Sequence, residues 1–233
     1  MSTATELRFT ASASSGEVSA LLERPQDARS LLVFGHGAGA GMRHRWMEAA
    51  ASALATRGVA SLRYQFPYVE RKEHRPDPQP ILLATVRSAV AAAGELAGDL
   101  PVFAGGKSMG GRMTSLAASK EALGAVRGLV FFGFPLHPAG APSTERAEHL
   151  DRVAVPMLFL AGTRDKLSEM ELLRPVIGRL GAGATLHVIE GADHSFEVLK
   201  RSGRTAEEVM DELAATAAAW MESRGGAARS VEE

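Results

Sequence analysis

The chain has no cysteine at all, which excludes disulfide bonds, thiolate metal centres and a cysteine nucleophile, though it says little about redox compartment. An excess of charge of either sign is missing too: 26 Lys and Arg stand against 27 Asp and Glu, for a net charge of −1. Such a chain has no field for gathering nucleic acid or an anionic membrane surface, and its basic residues are scattered rather than striped. No stretch approaches the roughly 18 consecutive apolar residues that a membrane-spanning helix requires. The first ten residues carry Glu6 and Arg8 where a signal peptide needs an unbroken apolar core. These absences point to a cytoplasmic protein with neither nucleic-acid nor membrane partners.

What is present is a chain of 233 residues, 45% hydrophobic and 23% charged. That is enough apolar material for one α/β domain with a sizeable core, placed at residues 1–222, followed by a frayed tail of small and charged residues at 223–233. Leu7-Arg8-Phe9 and Val18 to Leu22, separated by the Ser- and Gly-containing Ser12 to Gly16, read as an opening hairpin. Short apolar runs then alternate with helical segments: Leu31 to Phe34, Val59 to Tyr64, Val102 to Ala104, Leu129 to Phe132, Met157 to Leu160 and Leu186 to Ile189. Runs of this kind fit parallel strands buried on both faces. Leu82, Val86, Ala89, Ala93 and Leu96 recur at helical spacing, as do Val209, Leu213, Ala217 and Trp220, and Thr205 with Glu208 forms a capping box for the last helix. Pro175 predicts a broken or kinked helix whose first part is capped by Ser168 and Glu171.

Chemistry enters at Gly106-Lys107-Ser108-Met109-Gly110-Gly111, between the strand Val102 to Ala104 and a helix predicted from Arg112 to Lys120. A serine hydroxyl becomes a useful nucleophile when a tight strand-to-helix turn holds it exposed, with flanking glycines to tolerate the backbone. Partners follow at the ends of two later strands: Asp165 in Gly162-Thr163-Arg164-Asp165 and His194 in Glu190-Gly191-Ala192-Asp193-His194. Asp193 is a rival acid, but adjacency in sequence does not aim a carboxylate at an imidazole; Asp165 is preferred, and Asp193 is read as shaping the turn. Upstream, Phe34-Gly35-His36-Gly37-Ala38-Gly39 ends a strand in a loop whose backbone N–H groups can approach a ligand.

With these four motifs the chain resembles the α/β-hydrolase superfamily, most closely its small dienelactone-hydrolase-like members, over about residues 30 to 200. It is also similar to compact bacterial hydrolases related to the hydrolase-like subunit of a chromatin-modifying complex, whose reactions are mostly unassigned. The order Ser108, Asp165, His194 is the one this superfamily uses. The resemblance implies a mostly parallel central sheet flanked by helices on both faces, without a large lid domain. It also implies an oxyanion hole built from the N–H of Ala38, with Gly37 the weaker choice, and that of Met109. The dienelactone enzymes use a cysteine nucleophile, which this chain lacks, so their lactone substrate does not carry over.

Two phosphate motifs compete for the same glycines. Gly106-Lys107-Ser108 ends like a phosphate-binding loop, but Pro101 occupies the position where that motif needs its first glycine. Gly35 to Ala40 matches a dinucleotide fingerprint, yet Leu62-Arg63-Tyr64-Gln65 offers no acid for a ribose hydroxyl. No cofactor is expected. His44, His74, His137, His149 and His187 show no metal-ligand spacing, so no metal site is expected either.

The expectation is a serine hydrolase acting on a small or medium ester, thioester or lactone, with a non-catalytic binding or scaffold domain of the same fold as the alternative. The pocket is expected to be shallow and walled by the connections 66–80 and 134–148. Its candidate residues are His36, acting more as a loop brace than as a base, with Gly37, Tyr68, Phe134, Leu136 and His137. The basic cluster Arg71 to Arg75 is read as a solvated charged loop, with recruitment of a substrate carboxylate as the other possibility.

Overall fold

Polar and apolar residues alternate through the first strand, β1 (Thr5–Ser12), which pairs as an antiparallel hairpin with the more deeply buried β2 (Gly16–Glu23). The computed structural model describes residues 4–225. Six further strands complete the sheet: β3 (Ser30–Gly35), β4 (Val59–Tyr64), β5 (Val102–Lys107), β6 (Leu129–Phe132), β7 (Met157–Gly162) and β8 (Ala184–Ile189). The spatial order is β1-β2-β4-β3-β5-β6-β7-β8. β2 meets β4 antiparallel, and every pair from β4 to β8 is parallel. Every residue of β3, β4, β6 and β7 is buried, as parallel strands covered on both faces should be.

The helices are α1 (Arg45–Ala55), α2 (Pro67–Glu70), α3 (Gln79–Ala97), α4 (Met109–Lys120), α5 (Met170–Leu180) and α6 (Ala206–Gly225). Leu82, Val86 and Ala89 of α3, Met113 of α4, and Leu173 and Val176 of α5 share one core with Leu31, Leu62 and Phe131 of the sheet. Met47 and Leu54 of α1 and Val209, Leu213 and Trp220 of α6 cover the opposite face against Leu32, Phe103 and Leu158. Thr205 Oγ1 accepts from the Glu208 N–H at 3.1 Å and the Glu208 carboxylate accepts from the Thr205 N–H at 2.7 Å, the reciprocal cap that the sequence predicts.

Several boundaries differ from the sequence expectation. Helix α5 continues through Pro175 and starts after Glu169, with no side-chain cap from Ser168. Pro175 lies in the second turn, where only one helical bond is forfeited, and burial of Leu173 and Val176 holds the helix across it. Helix α4 begins at Met109, not Arg112. Helix α6 extends to Gly225, past the expected tail start at Ser223, with the Arg224 guanidinium 4.3 Å from the centre of the Trp220 ring; the remainder of that tail lies outside the described residues. Among the described residues, α3 is long and apolar enough to cross a bilayer by length and composition, with a mean hydropathy of 1.3. That corrects the reading of no such segment, although Leu82, Leu83, Val86 and Ala89 are buried in the core.

Two features of this scaffold hold the loops above β3 and β5. At Gly110 a Cβ would stand 2.3 Å from the Gly35 carbonyl oxygen, and at Gly106 a Cβ would stand 2.3 Å from the same atom. Only glycines allow α4 to start this close to β3. His36, fully buried, then braces the loop after β3: Nδ1 donates to the Gly37 carbonyl at 2.7 Å, which leaves Nε2 to accept from the Phe66 N–H at 3.2 Å. Burial pulls the His36 pKa down to about 4. His149, whose Nε2 lies 2.7 Å from Ser115 Oγ, is likewise held to about 4 by burial.

Gly110→Ala is expected to cost about 1–3 kcal/mol through backbone overlap, read as a lower urea midpoint. Because unfolded histidine protonates near pH 6.5 and these two rings only near 4, the unfolded chain binds more protons in that window, and stability is lost as pH falls through it. The loss attributable to His36 by pH 4 is on the order of 3 kcal/mol. Urea titrations at pH 7 and pH 4.5 check this, and His36→Asn should remove about half of the dependence, leaving the share of His149.

Candidate active site

Ser108 sits at the junction of β5 and α4 with φ 51° and ψ −114°, a backbone conformation that a non-glycine residue adopts at a cost of about 1–3 kcal/mol. The turn is held by the Ser108 N–H donating to the Phe132 carbonyl and the Arg112 N–H donating to the Ser108 carbonyl, both at 3.1 Å. The serine is partly exposed at the C-terminal edge of the sheet, where open α/β folds bind ligands.

Asp165 follows β7 and is buried. Its Oδ1 accepts from the Leu167 N–H at 2.8 Å, and its Oδ2 lies 2.8 Å from His194 Nδ1. The two loops meet because position 162 is glycine: a Cβ there would lie 2.2 Å from the Ala192 carbonyl oxygen, and the Arg164 N–H donates to that carbonyl at 2.8 Å. Asp193 does what the sequence reading assigns it, shaping the turn, with Oδ1 accepting from the N–H groups of Ser195 at 2.9 Å and Glu197 at 3.0 Å.

His194 joins the two halves. Since a carboxylate only accepts, Nδ1 is the protonated nitrogen and Nε2 carries a lone pair. That Nε2 lies 2.8 Å from Ser108 Oγ. The structure therefore brings Ser108, His194 and Asp165 into one hydrogen-bonded line from three separate loops. A second serine–histidine contact, Ser115 to His149, is of a different kind: both residues are buried and neither lines the groove described next.

A groove of about 1320 Å³ opens from Ser108 and His194 and runs between α1 and α6, past Trp46, Met47, Phe196, Val198, Met210 and Leu213. Gly37 and Ala38 form part of its lip, and a Cβ on Gly37 would lie 3.8 Å from that of Ser108. Met109 opens α4, where the first-turn N–H groups have no helical acceptor. Ala38 thus lines the same groove as Ser108, and Met109 follows the serine in the chain.

The other expected pocket residues do not line this groove. Tyr68 stands behind the glycine loop, its hydroxyl accepting from the Gly39 N–H at 3.1 Å. Phe134 packs on Phe131 and Phe159, Leu136 is buried, and His137 pairs with Glu169 at 2.5 Å. His36 is the buried brace described above. The physical reason is shared: the apolar residues of both connections join the core under α3 and α4, while the groove opens on the face covered by α1 and α6. Arg71 is neutralised by Glu73 at 2.8 Å and Asp77 at 2.7 Å, which removes it as an anchor for a substrate carboxylate. Trp46, Phe196 and Met210 are the wall residues that sequence reasoning missed; Phe196 follows His194 closely, but its inward turn depends on a left-handed backbone, φ 64°.

Comparison with known proteins agrees with this architecture. The dienelactone hydrolase from Anabaena variabilis superposes with a TM-score of 0.75 at 20% identity, covering 96% of this chain and 99% of that one. A serine hydrolase without a lid from Xanthomonas campestris gives a TM-score of 0.71 at 17% identity, covering 96% of each chain. Est1E from Butyrivibrio proteoclasticus gives 0.70 at 16% identity, covering 94% of this chain and 98% of that one. At these identities the likeness is one of fold. The family model for the alpha/beta hydrolase domain matches residues 28–222, and with that match over most of its length the chain belongs to the α/β-hydrolase family.

Proposed function

We propose that the protein is a serine hydrolase that cleaves small or medium ester-like substrates, whether esters, thioesters or lactones, through an acyl-enzyme. The observation that carries this reading is the line from Asp165 Oδ2 through the His194 ring to Ser108 Oγ, at 2.8 Å for each contact, opening into an apolar groove. A scaffold has no use for a hydroxyl held in a strained turn with an imidazole lone pair facing it. The names of the structural neighbours, which include a dienelactone hydrolase and an esterase domain, support the same class of reaction.

In this mechanism His194 Nε2 removes the Ser108 proton as Oγ attacks the substrate carbonyl, and Asp165 steadies the imidazolium that forms. The carbonyl oxygen, now negative, receives hydrogen bonds from the N–H groups of Ala38 and Met109, each worth about 2.7–4 kcal/mol by analogy with measured oxyanion-hole donors. His194 then returns the proton to the leaving oxygen or sulfur. Water, deprotonated in turn by His194, attacks the acyl carbonyl, and His194 passes that proton to Ser108 Oγ as the acyl bond breaks. The acyl or aryl portion lies along Trp46 and Phe196, and no cofactor takes part.

Hydrolysis of a panel of short p-nitrophenyl esters tests the reading. Ser108→Ala is expected to lower kcat by about 10⁶-fold, Asp165→Asn by about 10⁴-fold, and Asp193→Asn by much less, because Asp193 touches only the turn. A fluorophosphonate probe should label Ser108 and no other residue, while Ser115→Ala should keep both labelling and activity. Undiminished hydrolysis by Ser108→Ala rejects the proposal, and an inactive, unlabelled wild type would favour the scaffold alternative.

A further inference from the structure

Lys107 immediately precedes Ser108 and ends β5, in which the other residues are buried. Lys107 is half-buried and lines the groove, and the protein packed around its ammonium desolvates it. Nζ donates to the backbone carbonyl of His194 at 2.6 Å. It lies 5.6 Å from the centre of the Trp46 ring and 5.4 Å from that of Phe196, two rings that stack on each other at 6.0 Å. Gly133 leaves it room, since a Cβ there would come within 3.2 Å of Nζ. Among the described residues, none of the ion pairs involves Lys107; Asp165 and Asp193 act on it only at longer range.

A desolvated ammonium with no carboxylate in contact is costly, and an apolar side chain of similar length would fill the same gap without that cost. Filling space between two rings does not require a lysine. What the ammonium adds is a charge-assisted hydrogen bond, and its acceptor is the main chain of His194. This bond spans from the nucleophile's strand, past β6 and β7, to the loop beyond the edge strand β8. That loop carries its own strain: Phe196, two residues beyond His194, has φ 64°, a left-handed conformation unfavourable for a bulky side chain. A strained loop leaving an edge strand relaxes unless something holds it.

We infer that Lys107 is a positioning residue, whose ammonium ties the His194 loop to the nucleophile turn and so sets the separation between the imidazole and Ser108 Oγ. Its catalytic consequence rests on the hydrolase reading; the tether itself does not. The groups that face the ammonium are Asp165 from the loop after β7, Asp193 and His194 from the loop after β8, and the uncharged rings of Trp46 and Phe196. Burial lowers the Lys107 pKa to about 8, so the charged tether is present at neutral pH and is lost as pH rises through that value.

The test uses the full chain with Lys107→Met and Lys107→Arg. For Lys107→Met, kcat on a p-nitrophenyl ester should fall by about 10-fold or more with KM within about twofold, the signature of misplacement rather than lost binding. Lys107→Arg should recover part of that loss. Wild-type kcat should decline above about pH 8, and the decline should be absent in Lys107→Met. Amide exchange of residues 193–197 should quicken in Lys107→Met while the thermal midpoint holds or rises, because the costly buried charge has gone. Unchanged kcat with unchanged exchange overturns the inference, as does a kcat loss accompanied by a lowered midpoint and faster exchange throughout the sheet. Should the wild type hydrolyse no ester, the proposed reaction fails and exchange alone decides: unaltered exchange of residues 193–197 in Lys107→Met then rejects the tether.

Discussion

The hydrogen bond between His194 Nδ1 and Asp165 Oδ2, at 2.8 Å, is the contact on which the rest of the site depends. A carboxylate offers only acceptors, so it dictates which ring nitrogen holds the proton and leaves the other with a lone pair toward Ser108. Were the ring turned over or the carboxylate withdrawn, Ser108 would be an ordinary hydroxyl in a tight turn. The surroundings are arranged to prevent either. Asp165 is immobilised through the Leu167 N–H and buried, and Gly162 lets its loop lie directly on the one that carries His194.

Strain and close packing are concentrated around this contact. Ser108 and Phe196 both occupy positive-φ conformations, and the glycines at 106 and 110 allow helix and strand backbones to approach to distances that no side chain would permit. Such features lower stability by a few kcal/mol in total and persist because the parallel strands beneath are buried on both faces and do not yield. The fully buried, neutral His36 contributes in the same way, holding the glycine loop from behind at the expense of acid tolerance. The molecule thus places rigidity where the proposed chemistry needs positional accuracy, on the loops at one edge of the sheet.

The groove shows how packing on two faces divides roles. The few large apolar side chains of the connections 66–80 and 134–148, Phe66, Tyr68, Phe134 and Leu136, go into the core under α3 and α4. On the opposite face, α1 and α6 leave a cleft between them that reaches the serine. Substrate selection in the proposed reaction therefore belongs to Trp46, Phe196 and Met210.

Much of the architecture was legible from one dimension because strands buried on both faces must be written as short apolar runs. The central strands could be read that way, and the opening hairpin and the capping box at Thr205 and Glu208 from patterns within a few residues; the chain order of Ser108, Asp165 and His194 is read directly along the sequence. Pro175 misled, because a proline's effect depends on which helical turn it occupies and what is buried beside it. The tail boundary at Ser223 misled for a similar reason: the last turn of α6 is supported by the Trp220 ring. The pocket misled most, because the face on which an apolar side chain finds cover is decided by the whole sheet and not by local pattern. By itself the amino-acid order determined the alternation of elements and singled out the proposed reactive groups. Only the tertiary structure decided that the three groups meet at 2.8 Å, which side of the sheet is left open beside them, and that Lys107 reaches the His194 carbonyl. Distance between segments remote along the chain is a property of packing, to which local propensity is blind.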